Sequence, residues 1–221
     1  SVAMAPSGGA AWTISGAIAG VLVDLNGADS VTIDGLNSGG NALTFDNTSA
    51  TATAATIRFI ADASSNTVQN CTIKGAETGA ASGTIVFSTG TATGNVSDVI
   101  SANTITSSGA NLPTNAIYSA GTSAAIANTA SITNNNIQDY FNATAASNGI
   151  FVASNSTAWT ITGNKMFQTA ARNSTAAVSH RAINIVTAAG GGYTISSNTI
   201  GYSSSSATGT TVYTNTAAAI R

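Results

Sequence analysis

Two series of residues keep the same interval along this chain, and that constrains its fold more than anything else in the sequence. The first is an apolar residue, two others, an Asn-like residue, one other, then an apolar residue. It reads Val31–Asp34–Leu36, Val68–Cys71–Ile73, Ile100–Asn103–Ile105, Ile132–Asn135–Ile137, Ile161–Asn164–Met166 and Ile195–Asn198–Ile200. Its Asn-like members Asp34, Cys71, Asn103, Asn135, Asn164 and Asn198 step by 37, 32, 32, 29 and 34 residues. The second series is Ile57, Ile85, Ile117, Ile150, Ile183 and Ile220, each in a short β-prone stretch such as ATIRF, GTIVF or NGIFV. Because the two series stay in phase, the chain reads as a solenoid, one structural unit per repeat.

The local chemistry favours strands and turns. β-branched residues recur at alternate positions, no stretch holds helical periodicity, and Pro6 and Pro113 are the only prolines. Each motif therefore reads as strand, Asn bend, strand, with left-handed backbone assigned to the Asn itself. Stacked at the strand spacing of about 4.8 Å, such side chains form a hydrogen-bonded ladder. Parity turns the six isoleucines of the second series inward as a core column, and Cys71 becomes a buried small residue within the ladder. The expected fold is an all-β parallel helix of about six to seven coils, with residues 1–221 forming a single domain.

The stretches NGIFV and WTITGNKM (148–152 and 159–166) resemble the right-handed parallel β-helix repeat of pectate-lyase-like proteins. The stretch DLNGADSVTIDGL (24–36) is similar to β-helix openings in long bacterial surface proteins. The resemblance implies right-handed winding and a secreted or cell-surface bacterial protein. It leaves activity open, since this fold hosts lyases, hydrolases and adhesins alike. The chain ends within a repeat, with no polar cap, so adjoining coils or domains of a longer protein are the expected partners.

Charge narrows the functional classes. Only 6% of the residues are charged, against about 25% in an ordinary soluble domain. With a net charge of −2 and no basic cluster, nucleic acid is not an expected partner, and no apolar run approaches the roughly 18 residues of a membrane span. The one cysteine excludes an internal disulfide framework. Polysaccharide cleavage needs two acids across a bond or several around a cation. The eight acids here are scattered, none follows Asp139, and Asp29 and Asp98 share a register with Asn66 between them. His180, the only histidine, stands without a neighbouring acid and reads as exposed or loop-packed. No catalytic residue, metal site or cofactor is assigned.

The outward column following the isoleucines is the most distinctive surface. Val86, Tyr118 and Phe151 stack on one outer face, either beneath a loop such as 165–182 or as a strip for glycans or another surface protein. The longer segments 35–56, 165–182 and 199–219 are candidate binding loops. Arg172, Arg181 and Lys165 make the C-terminal half weakly basic. Trp159 and Tyr193, in register two residues before an inward Ile, are assigned to the core. The leading expectation is a non-enzymatic, adhesin-like structural segment. The alternatives are a carbohydrate-active enzyme and an ice-binding helix, the latter weakened because Thr160-x-Thr162 shows no matching neighbours.

Overall fold

The computed structural model describes residues 1–188 and 190–216, and among these every regular element is a β-strand. The strands form three parallel sheets, two of seven strands and one of six, plus a two-stranded lateral sheet. In each main sheet a strand pairs with its counterpart one coil later, which makes the chain a parallel β-solenoid. One full coil runs Val31–Asp34 in the first sheet, Ala42–Asn47 in the second and Ala55–Ile60 in the third. The next runs Thr67–Gln69, Thr72–Gly75 and Ile85–Phe87. An antiparallel hairpin fold is excluded by the pairing, because every strand ladder is parallel.

Like residues from successive coils lie over one another and build the core. Val23, Ile57, Ile85, Ile117, Ile150 and Ile183 pair in order through the third sheet. Ile57, Ile85, Ile117 and Ile150 are fully buried, whereas Val23 and Ile183, nearer the ends, are partly covered. Ile220 lies outside the described residues. The first sheet contributes Ile33, Val68, Ile100, Ile132 and Ile161, and the second contributes Phe45, Ile73, Ile105, Ile137 and Met166. Each fully buried aliphatic side chain contributes about 1.5–3 kcal/mol. Between the sheets, Phe59 and Phe87 stack at 4.6 Å, and Trp159 meets Phe87 edge-on at 5.1 Å. The Trp159 indole N–H donates to the Asn128 carbonyl (3.0 Å), which satisfies its polar atom in the core.

The corner between the first and second sheets takes two residues, and they divide the work differently from the sequence expectation. The left-handed residue is the one before the ladder position: Asn70, Ala102, Asn134, Gly163 and Ser197 all have φ between 56° and 71°. The following residue, Cys71, Asn103, Asn135, Asn164 or Asn198, turns its side chain inward. Its own backbone N–H finds no backbone carbonyl in the next coil, and the next ladder asparagine supplies the acceptor. Cys71 N donates to Asn103 Oδ1 (2.9 Å), Asn103 N to Asn135 Oδ1 (2.9 Å), Asn135 N to Asn164 Oδ1 (3.0 Å) and Asn164 N to Asn198 Oδ1 (3.0 Å).

Asp34 lies outside this ladder. The strand pairing sets Ile33 opposite Val68 and Asp34 opposite Gln69, two positions from the alignment of Val31 with Val68. Ile33 is 3% exposed and packs inward. Asp34 points away from the core and accepts hydrogen bonds from Gln69 Nε2 (2.7 Å), Asn70 Nδ2 (2.8 Å) and Leu36 N (2.8 Å). Gly35 then passes so close to Asn70 that a β-carbon would overlap the Asn70 carbonyl, which is why glycine occupies that corner.

Candidate functional site

Three regions gather side chains with binding or chemical potential: the outer face of the third sheet, a lateral clamp around His180, and the buried corners. On the outer face, strand pairing places Asp24, Arg58, Val86, Tyr118, Phe151 and Asn184 in one column. The Tyr118 and Phe151 rings meet edge to face with centroids 5.6 Å apart, and both are half-buried. Val86 is 8% exposed and belongs more to the packed body than to the strip. Arg58 closes the column on one side through a two-pronged pair with Asp24, at 3.0 and 2.6 Å. The strip is therefore bounded by an ion pair and by Asn184, with the aromatic pair as its apolar centre.

The segment following Lys165–Phe167 stacks on the equivalent segment of the coil before it. Gln168 donates to the Tyr140 carbonyl (2.8 Å), Thr169 N to Asp139 (2.9 Å), and Thr175 N to the Ala143 carbonyl (2.8 Å). Its short strand Arg172–Ser174 pairs with Tyr213–Asn215 as the lateral sheet. The candidate loops 35–56 and 165–182 include the strands Ala42–Asn47, Lys165–Phe167 and Arg172–Ser174, and the described part of 199–219 includes Thr199–Ile200 and Tyr213–Asn215.

His180 sits inside the clamp. Its Nδ1 bonds Ser147 Oγ (2.9 Å), its Nε2 bonds Tyr213 OH (2.8 Å), and its ring stacks on Tyr140 at 5.0 Å. Burial lowers its pKa to about 4, and the nearby Arg172 adds to the shift. The neutral ring donates through one nitrogen and accepts through the other, so it bridges two hydroxyls as a structural link. Asp139, which would complete a triad elsewhere, is bound by Arg172 Nη2 (2.5 Å) and by Thr169. Ser147 is 1% exposed and out of a substrate's reach. Of the other basic residues, Lys165 Nζ donates to the Ser205 carbonyl (2.6 Å), while Arg181 is exposed.

The remaining acids are dispersed. Asp29 is level with Ser64 and Val96, whereas Asp98 is level with Asn66, so the shared register expected for Asp29 and Asp98 does not occur. Asp62 accepts the amides of Thr91, Ala92, Thr93 and Gly94 together with the Thr91 hydroxyl, which fastens one loop. Glu77 and Asp98 are buried at 1% and 0% exposure. Burial pushes the Glu77 carboxyl well above its ordinary range and moves Asp98 up to about 7. Among the described residues, no three of His, Cys, Asp or Glu gather where they could hold a metal ion. Cys71, 3% exposed, donates through Sγ to the Gln69 carbonyl, and burial pushes its thiol up to about 12. A thiol so held is not a nucleophile at neutral pH.

Further ladders accompany the one expected from sequence. Asn66 Nδ2 reaches Asp98 Oδ1 (3.0 Å), Asn95 Nδ2 reaches Asn128 Oδ1 (2.9 Å), and Asn148 Nδ2 reaches Asn115 Oδ1 (2.7 Å). Their members are 32 or 33 residues apart, the coil period, and that spacing was the signal available in the sequence. Comparison of the chain with protein-family models, with curated proteins and with solved structures returns no match.

Proposed function

We propose that this chain is a non-catalytic, rigid display module of a bacterial secreted or cell-surface protein, related to the pectate-lyase-like right-handed helices that its repeats resemble. The observation that carries the reading is the double stitching of successive coils, by backbone pairing in three sheets and by buried amide ladders at the corners. Seven strands at about 4.8 Å give a rod close to 30 Å long. The acids support a structural role as well. Asp24 and Asp139 are ion-paired, Asp34 and Asp62 tie down backbone or amides, and Glu77 and Asp98 are buried. A glycosidase or lyase would present its carboxyls across a groove instead.

Such a rod holds side chains in columns, and the Tyr118–Phe151 pair is the candidate contact for a glycan or another surface protein. Adjoining coils or domains of the same protein are the partners that a rod serves. Limited proteolysis combined with a glycan array tests both halves. Cleavage confined to turns, with any glycan signal lost in Tyr118→Ala, is the expected result. Rapid cutting inside Asn115–Ala120 or Ser147–Ser154, or depolymerisation of a polysaccharide, would overturn it.

A further inference from the structure

Asp98 takes a position that the fold otherwise gives to asparagine. One coil earlier, Asn66 accepts the Val31 amide on Oδ1 (2.9 Å) and donates through Nδ2 to the Ala28 carbonyl (2.8 Å). Asp98 repeats the first half of this arrangement: its Oδ1 accepts from Asn66 N and Asn66 Nδ2, both at 3.0 Å. By this correspondence its Oδ2 is the counterpart of the donating amide, and that oxygen is buried without a hydrogen-bond partner. Strand bridges put Ser64 opposite Asp29, so the carbonyl equivalent to Ala28 is that of Ala63. Each of these carbonyls accepts the matching backbone amide, Ser64 N at Ala28 and Val96 N at Ala63. At Ala63 the backbone donor is present and the side-chain donor is not.

We propose that Asp98 is a proton-operated latch on this corner, closed when its second oxygen carries a hydrogen that it donates to the Ala63 carbonyl. Closed, the corner has the full asparagine pattern. Open, the carboxylate is a buried charge with one oxygen unpaired, a costly state in a low-dielectric interior. Ala130 faces Asp98 from the next coil and Asn66 from the previous one, and neither carries charge. Asp29, held by Ser64, is the charged group whose field reaches it, and like charge favours the proton. The inference is independent of the display role, since the latch sets when the rod is tightest and not what it presents.

The sign follows from linkage. The folded form holds the Asp98 proton up to about pH 7, while the unfolded chain releases it near 4. Stability from this group is complete below about pH 4 and is lost as pH rises through 7, by up to about tenfold in the unfolding equilibrium per pH unit. Glu77 acts in the same direction, so Glu77→Gln serves as the background in which Asp98 is read. Hydrogen exchange of the Ser65, Val96 and Val99 amides, corrected for intrinsic rates, is compared at pH 5 and pH 8 with and without Asp98→Asn. Protection that falls at pH 8 in the parent but stays constant in the variant is the expected result. The same pH dependence in both would overturn the proposal. Should the variant not fold, a carbon-13 titration of the Asp98 carboxyl in the unmodified chain decides: a midpoint near 7 supports the latch, and one near 4 sinks it.

Discussion

Asn164 Oδ1 accepts two hydrogen bonds from Asn135, one from its backbone amide at 3.0 Å and one from Nδ2 at 2.9 Å. Asn135 Nδ2 also reaches the Ile100 carbonyl (2.9 Å), while its Oδ1 receives both the amide and the Nδ2 of Asn103. One side chain thus joins three coils, and it is fully buried. The ladder is a polar seam through an apolar core, and its contribution is large because its groups are buried and bond to one another at low local dielectric.

Asn135→Leu keeps the branched heavy-atom outline, with bulkier methyls, but removes the acceptor of the Asn103 amide and the Nδ2 donor to the Ile100 carbonyl. Leaving buried polar groups unpaired should lower stability by about 3 kcal/mol or more. Asn136→Ala is the control: Asn136 lies next in sequence but points outward, and a change of about 0.5 kcal/mol or less is expected there. Urea unfolding followed by circular dichroism checks both, and equal losses would show that the seam has no special role.

Cys71 marks the end of that seam. Its amide uses Asn103 Oδ1, but the thiol cannot supply the second donor that each asparagine gives. In Cys71→Asn, Nδ2 would reach Asn103 Oδ1 and the carbonyl of Ile33, the residue opposite Val68. The expected gain is about 1 kcal/mol, a typical net hydrogen bond. In the parent, thiol labelling should follow unfolding instead of preceding it.

The six-beat pattern of Ile and Asn was readable because a solenoid turns spatial neighbours into residues one period apart. Register at the first motif was not: Val31 and Ile33 share parity, so either could be paired with Val68, and packing of Ile33 with the tight passage of Gly35 decides it. The left-handed role of the residue before the ladder was equally hidden. Asn70, Asn134 and Gly163 are types that favour this geometry, but Ala102 and Ser197 take the same φ, so residue type alone does not mark the position. Thr160-x-Thr162 does have in-register neighbours, Ser131-x-Thr133 and Thr194-x-Ser196, which the eye misses when serine replaces threonine.

Asp62 should control one loop almost alone. Five donors from residues 91–94 converge on its carboxylate, and the Thr91 hydroxyl leads in holding it well below the usual carboxylate range. A group with a lowered folded pKa stabilises above its ordinary value and loses that contribution only as pH falls below the carboxylate range. Asp62→Ala should therefore speed amide exchange at 91–94 at neutral pH while leaving the Ile85 and Ile117 amides protected. A loss of protection spread evenly over all coils would contradict this local role.

The clamp around His180 carries the opposite acid response to the buried carboxyls. Ser147, His180 and Tyr213 are each 33 residues apart, one coil period, and the imidazole joins the other two through its two nitrogens. With its pKa near 4 when folded and about 6.5 when unfolded, His180 is neutral in the clamp while the unfolded chain takes up a proton. Stability from this group is full above about pH 6.5 and falls between 6.5 and 4. The effect should appear at the lateral sheet, where Tyr213–Asn215 meets Arg172–Ser174. Exchange of the Arg172 amide, which donates to Val212, should quicken from pH 7 to pH 4.5 after correction for intrinsic rates. His180→Leu, which keeps a buried apolar group but cuts both hydroxyl links, should quicken it already at pH 7 and remove the pH dependence. An Arg172 amide equally protected in parent and variant would mean that the imidazole only fills space against Tyr140.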